Sequence, residues 1–354
     1  MLPALCAGMM VLVGCTREPE PEFVLSTMTL QLGEEGQAMV QKVLHEQCGT
    51  PTRPKLLGDE SAEARSLQYG AKVFMDRCAA CHGASGDGDG PQADSMYPRP
   101  RDYRPGKFKF TSTPYGAKPL RSDLIRTIKH GARGTSMPKF DLLPEADLEA
   151  LVDHVLALTY RGELEVLLDL EVESEDEIAE DRVPELIDDV LRLWKKAESQ
   201  IVYPVSVETE FNQESVERGK EAFLSDRGEC FKCHGKDGRG MVMAGQQAFK
   251  DAWGFQTRAA DLTSGMLHGG NRSEDIYRRI YSGINGTPMP SFKSKFESEP
   301  ELIWDLVHYV QFLSNVRRKE MLQEQDQWMA KYRAAKAGAK KSAATSPTEE
   351  GQTP

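Results

Sequence analysis

Apolar residues recur along this chain at spacings of three and four, the period of one buried helix face. Leu151, Val155 and Leu158 form one such stripe, and Leu306, Tyr309, Val310 and Leu313 form another. Between them, Val183, Leu186, Ile187, Val190, Leu191 and Trp194 surround Pro184, a residue suited to the first turn of a helix. Ala38, Val40, Val43 and Leu44 predict a short helix near the start, and the last stripe runs from about Pro300 to Tyr332 through Leu322 and Trp328. At the N-terminus, Met1 to Cys15 carries no charge, and its apolar run Leu2 to Val13 has the length of an export-signal core rather than of a membrane span. The polar run Thr16 to Glu22 follows at once. The last residues, Ala335 to Pro354, have no apolar periodicity and predict a disordered tail.

Charge changes this picture in two places. The 354-residue chain has 44 Lys and Arg against 55 Asp and Glu, and its net charge of −11 argues against a nucleic-acid binder. Nearly all of the excess falls between Glu163 and Gln200, with fourteen acidic and four basic residues. Its first part reads as a solvated tether, and its second part as the amphipathic helix around Pro184, packed on a neighbouring module. The stretch Arg99 to Lys139 is opposite, with eleven basic residues against Asp102 and Asp123. Those cations suit prosthetic-group carboxylates and the steering of an acidic redox partner.

Cysteine placement supplies the chemistry. Of Cys6, Cys15, Cys48, Cys78, Cys81, Cys230 and Cys233, the last four lie in Cys78-Ala79-Ala80-Cys81-His82 and Cys230-Phe231-Lys232-Cys233-His234. Both match the C-x-x-C-H pattern of covalent haem attachment, in which two thiols bond the porphyrin and the adjacent His becomes the proximal iron ligand. A structural zinc site needs four ligands where each motif offers three, and a redox dithiol leaves both histidines without a role. Cys48 is left over and reads as a buried free thiol.

A repeat brings the second ligand. Asp123 to Phe140 matches Asp275 to Phe292 without gaps at an offset of 152 residues, the same offset that relates Cys78 to Cys230. Met137 and Met289 each lie 55 residues beyond their histidine, His82 or His234, within Gly-Thr-Ser-Met-Pro and Gly-Thr-Pro-Met-Pro. A thioether is a competent sixth ligand, and Gly and Pro around it predict a stiff loop. Met96, Met241, Met243 and Met266 also lie between a haem motif and its proposed ligand.

At these residues the chain resembles the class I c-type cytochromes, over about 61–161 and 213–316. The resemblance implies an all-α fold: two tandem cytochrome c domains, each crossing an N-terminal helix over a C-terminal one at a glycine. Gly70 with Phe74 and Gly219 with Phe223 fit that crossing. His154 takes the place of Tyr309 and reads as a satisfied packing residue. The resemblance also implies a carbonyl acceptor for each ligating His from a proline-containing loop. Gly88-Asp89-Gly90-Pro91 fits in the first module, whereas the second has no Pro between His234 and Pro288.

The expected organisation is a signal at 1–15, an N-terminal extension at 16–60, cytochrome c domain 1 at 61–161, an acidic linker at 162–212, domain 2 with an extended helix at 213–334, and a tail at 335–354. Leu12-Val13-Gly14-Cys15 resembles a bacterial lipobox, which implies a lipid on Cys15 and a place on the periplasmic side of a bacterial membrane. The cofactors implied are two covalently bound haem c groups. Cys78, Cys81, Cys230 and Cys233 attach them, and His82, Met137, His234 and Met289 ligate iron. The function implied is electron transfer with redox protein partners or as a subunit of a respiratory or dehydrogenase complex, without a small-molecule substrate. The alternative is a two-haem peroxidase with one open iron.

Overall fold

The computed structural model describes residues 21–58, 64–240, 249–315, 327, 330 and 331. The expected signal with Cys6 and Cys15, the tail at 335–354, Met241 and Met243, and Leu322, Trp328 and Tyr332 lie outside the described residues. Helices dominate, as expected, in the order α1 (Glu34–Cys48), α2 (Ala64–Arg77), α3 (Ala79–His82), α4 (Arg121–His130), α5 (Glu145–Glu175), α6 (Arg182–Glu198), α7 (Gln213–Leu224), α8 (Phe231–His234), α9 (Ser273–Ser282) and α10 (301–315). Strands β1 (Gly49–Thr50) and β2 (Arg53–Pro54) pair antiparallel, as do β3 (Phe249–Lys250) and β4 (Gln256–Thr257). Among the described residues no helix is long and apolar enough to cross a membrane.

Local chemistry sets the helix ends. Asn212 caps α7 by accepting from Ser215 N at 2.9 Å, and Ser215 Oγ accepts from Asn212 N in return. Acidic residues occupy the first turns of α5 and α9, where the helix dipole favours them. Gly49, at φ 71°, ends α1 in a conformation that a side chain would strain.

Each module is held by one close helix crossing. A Cβ on Gly70 would collide with the carbonyl oxygen of Ala150, and one on Gly219 with that of Asp305, so α2 meets α5 and α7 meets α10 almost backbone to backbone. Phe74 and Phe223, one turn on from these glycines, are fully buried in the two cores. Phe74 lies 4.9 Å from the His154 ring and Phe223 lies 5.3 Å from the Tyr309 ring, so the two crossings are built alike.

The acidic linker differs from its reading. Instead of ending near residue 161, α5 runs on for about four further turns, to Glu175, and the first part of the acid run is folded rather than solvated. Glu165 and Asp169 are buried: Arg161 donates to Glu165 at 2.8 Å, and Thr29 Oγ1 lies 2.8 Å from Asp169. Ser26 N donates to Glu165 at 2.7 Å, so the N-terminal segment supplies hydrogen bonds to these carboxylates from 139 residues away. As expected, α6 packs through Val183, Leu186, Val190 and Trp194, and it does so on module one. With Val40, Leu44 and Cys48 of α1 and Leu164, Leu168 and Val172 of α5, it forms a second apolar layer behind that module. Cys48 is buried there, and burial pushes its thiol up to about 12.

The two modules meet along a seam with approximate two-fold character. Gly116 N donates to Asn285 Oδ1 at 2.6 Å, while His268 Nδ1 pairs with the carbonyl of Arg133. Residues 116 and 268, like 133 and 285, are separated by the 152-residue repeat offset, so the same pair of positions meets twice. Arg126 joins the seam by binding Asp275 at 3.0 Å.

Gly70→Ala should destabilise module one and Gly219→Ala module two, each by about 1–3 kcal/mol, because backbone rather than a movable side chain fills the space. Thermal unfolding followed by circular dichroism would show this, and wild-type stability in both variants would contradict the close crossing.

Candidate functional site

The two C-x-x-C-H segments adopt one local structure. Following α2, Cys78 starts α3, and His82 N donates to Cys78 O at 2.9 Å; in module two His234 N donates to Cys230 O at 2.9 Å. Gly83 and Gly235 then turn the chain at φ 74° and 73°. All four thiols are free, and burial pushes Cys78 up to about 12 and Cys230 up to about 11. Burial thus holds Cys78 and Cys230 in the thiol form at neutral pH.

Each histidine is oriented by a backbone carbonyl. His82 Nδ1 lies 3.0 Å from Arg101 O, and His234 Nδ1 lies 3.1 Å from Ala260 O. A carbonyl only accepts, so Nδ1 carries the proton and Nε2 keeps its lone pair for a metal. Burial pushes both imidazoles below their usual range, with the carbonyl bonds opposing this, and keeps them neutral. His82 stacks on Tyr103 at 4.9 Å and 19°, while His234 lies 6.3 Å from Phe223.

The acceptors were not the ones read from sequence. In module one the carbonyl comes from Arg101, behind Pro98 and Pro100, rather than from Gly88–Pro91. In module two Ala260 serves without a proline. Both loops are clipped by the same backbone bond: Tyr103 N donates to Gly86 O at 2.7 Å, and Leu262 N to Gly238 O at 2.8 Å. In each case the donor lies two residues beyond the acceptor carbonyl and the receiving glycine four residues beyond the His, so the clip does what proline stiffness was expected to do.

Met137 and Met289 lie half-buried in loops that match bond for bond. Met137 N donates to Thr135 Oγ1 at 3.1 Å and Thr135 Oγ1 to Ala132 O at 2.7 Å; the counterparts are Met289 N to Thr287 Oγ1 at 3.2 Å and Thr287 Oγ1 to Ile284 O at 2.8 Å. Gly131 and Gly283 have no room for a side chain against the strand of backbone that follows each Met. Met289 packs on the core that also contacts Cys230 and Phe231. Of the other candidates, Met266 is 58% exposed at the seam and Met96 is half-buried.

Both methionine loops border the seam. Arg133 of the first contacts His268, and Asn285 of the second contacts Gly116 and donates to Ala117 O at 3.3 Å. The basic stretch of module one contributes here instead of forming a free docking face. Arg101 and Lys109 approach Asp251 at 4.0 and 3.4 Å, Arg126 binds Asp275, Arg104 pairs with Asp102, and Lys118 pairs with Glu163. Arg99, Arg121, Lys129 and Lys139 also have carboxylate partners. Burial lowers Lys109 to about 8, with Arg101 adding to the effect and Asp251 opposing it.

The donor set fits covalently attached haem: two free thiols three residues apart, a neutral imidazole with Nδ1 tethered, and a thioether loop of matching build in each module. Among the described residues no group of three or more His, Cys, Asp or Glu is arranged to hold a bare metal ion.

Comparison with known proteins agrees with this geometry. The profile of the family Cytochrome c matches residues 67–159 and again 216–314. A chain of the Kuenenia stuttgartiensis reducing HAO-like protein complex is similar in structure, with a TM-score of 0.54 and 30% identity, over 70% of this chain and 96% of that one. No curated protein sequence matches.

His154 is a packing residue, as expected, but not a satisfied one. It is fully buried, and neither ring nitrogen has a hydrogen-bond partner among the described residues. Burial lowers it from 6.5 to about 3. A base depressed on folding binds its proton in the unfolded chain first, so stability is complete above pH 6.5 and falls as pH drops toward 3. The loss at pH 5 is about 2 kcal/mol. His154→Leu should therefore move acid unfolding to lower pH; an unchanged acid midpoint would place the sensitivity elsewhere.

Proposed function

We propose, from the premise that the chain belongs to the cytochrome c family, that it is a two-centre electron relay in which His82 with Met137 and His234 with Met289 would hold iron. Haem bound covalently at Cys78 and Cys81, and again at Cys230 and Cys233, supplies the chemistry, its iron alternating between Fe(II) and Fe(III). The observation that carries this reading is the doubling of one oriented imidazole: two half-buried rings, each with Nδ1 tethered to a carbonyl at 3.0 or 3.1 Å.

The chain's own residues fix the geometry of each site. The carbonyls of Arg101 and Ala260 fix the ring planes, and each Nε2 lone pair would be held ready for a metal. Thr135 and Thr287 fix the backbone at each Met, and a soft thioether as ligand would favour the reduced state of a bound haem relative to a second imidazole. Phe74 and Phe223 wall the two cores. A sixth ligand in both modules supports electron transfer over peroxide chemistry at an open iron.

In this reading the relay works within an assembly of redox proteins. The similar chain belongs to a protein complex, and the present chain spans 96% of it. We also propose that Cys15 carries a lipid that holds the protein on the periplasmic side of a bacterial membrane. The lipobox-like Leu12-Val13-Gly14-Cys15 supports this.

Met137→Ala and Met289→Ala should each let imidazole bind at one centre and lower the midpoint potential of that centre alone. Optical titration of the purified holoprotein reads both effects. If neither variant gains ligand binding, another methionine is the ligand.

A further inference from the structure

Module two contains an element that module one lacks. From His82 to its acceptor Arg101 is 19 residues, whereas from His234 to Ala260 is 26, although both methionines lie 55 residues beyond their histidines. The longer span holds the hairpin of β3 and β4, whose turn is closed by Asp251: its backbone N donates to Phe255 O at 2.9 Å, and its carboxylate accepts from Trp253 N at 3.1 Å. That turn does not cover its own histidine. It reaches across the seam.

Trp253 stands between the two sites. On one side the Arg101 guanidinium lies 3.6 Å from the Trp253 ring centroid, and Trp253 Nε1 donates to Asp102 O at 3.3 Å. Arg101 is the residue whose carbonyl orients His82. On the other side the ring lies flush on Gly286, where any side chain would collide with it, and Ala252 N donates to Gly286 O at 3.0 Å. Gly286 lies three residues before Met289, in the loop fixed by Thr287. One indole thus touches the backbone that aims the histidine of module one and the backbone that presents the methionine of module two.

We propose that Trp253 is a positioning residue that couples the two centres, clamping Arg101 and the Met289 loop together so that each module helps to set the ligand geometry of the other. The inference rests on the assignment of His82 and Met289 as ligands. A partly desolvated cation on an indole face is a strong contact, and Asp251 beside Arg101 and Lys109 keeps the cluster from carrying excess charge. The contact is also directional, because the guanidinium of Arg101 and its carbonyl belong to one residue: a shift that frees the side chain moves the acceptor of His82.

The test uses the holoprotein and two readouts, the midpoint potential of each centre and the affinity for imidazole. Trp253→Ala should shift both midpoints and raise imidazole affinity at the Met289 centre about tenfold, the effect of losing one contact of hydrogen-bond size. Trp253→Phe, which keeps an aromatic face, should restore most of both properties and guards against a simple folding defect. Arg101→Ala leaves the carbonyl in place and should shift the His82 centre; combined with Trp253→Ala it should add little, since both remove one contact. Unchanged midpoints and imidazole affinities in Trp253→Ala, or fully additive effects in the double variant, would overturn the coupling. Met289→Ala separates the two levels: if it fails to open its centre the ligand assignment falls, whereas if it opens its centre while Trp253→Ala is silent, only the coupling falls.

Discussion

A buried imidazole that must keep one nitrogen free has to give the other a fixed acceptor, and the rest of this structure follows from that requirement. Each histidine lies on a one-turn helix, too short to orient a side chain by itself. The orientation comes from a loop that closes back over the ring and is clipped to a glycine four residues beyond it. That glycine needs the positive φ seen at Gly86 and Gly238, and the clip places the carbonyl of Arg101 or Ala260 on Nδ1. Without the carbonyl, burial would leave an imidazole free to rotate and with an unsatisfied N–H.

The seam is the second consequence of duplication. Two copies of one module each bring a methionine loop and a preceding turn, and the approximate two-fold lets each turn meet the other's loop. Gly116 with Asn285 and His268 with Arg133 are the same repeat positions exchanged. Charges that looked available for a partner are largely used inside the chain. Arg126 is held by Asp123 of its own helix and by Asp275 of the other module, so one cation joins the two equivalent carboxylates. Burial raises Asp275 while Arg272, Arg126 and Arg279 pull it down, and the cations prevail.

Covalent chemistry was the most legible part of the sequence. Thiols three residues apart with a following histidine have few uses, and the 152-residue offset with equal His-to-Met distances marked the second ligand twice. Gly70 and Gly219 were equally readable, because only a glycine allows backbone contact at a helix crossing. The acid run was misread because composition does not show where a helix stops or who arrives from afar. Arg161 one turn before Glu165 was a visible hint, but Ser26 and Thr29, which complete that site, are more than a hundred residues away in the chain. The basic stretch failed for the same reason, since Glu149, Glu163, Asp251 and Asp275 reach it only through tertiary packing. Proline was the wrong signal for the histidine acceptors, because the clip is a backbone bond that either module makes with whatever residue its loop supplies.

Duplication by itself would leave two equal centres, and the structure departs from equality in two places. Module one has a second apolar layer built by α1, the far half of α5 and α6, and module two has no counterpart of that layer among the described residues. Module two has the longer loop between histidine and acceptor, and that extra length forms a turn that presses on module one rather than on its own core. The repeated positions 116, 133, 268 and 285 preserve the two-fold, whereas Trp253 breaks it, because it lies in the extra length of the module-two loop, and the module-two counterpart of Arg101 as histidine acceptor is Ala260. Among the described residues module one has no hairpin to offer in return, so the Trp253 contact forms once, between the acceptor of the His82 centre and the loop of Met289. The inequality of the two sites is a property of the junction, made by a turn that module two alone possesses among the described residues.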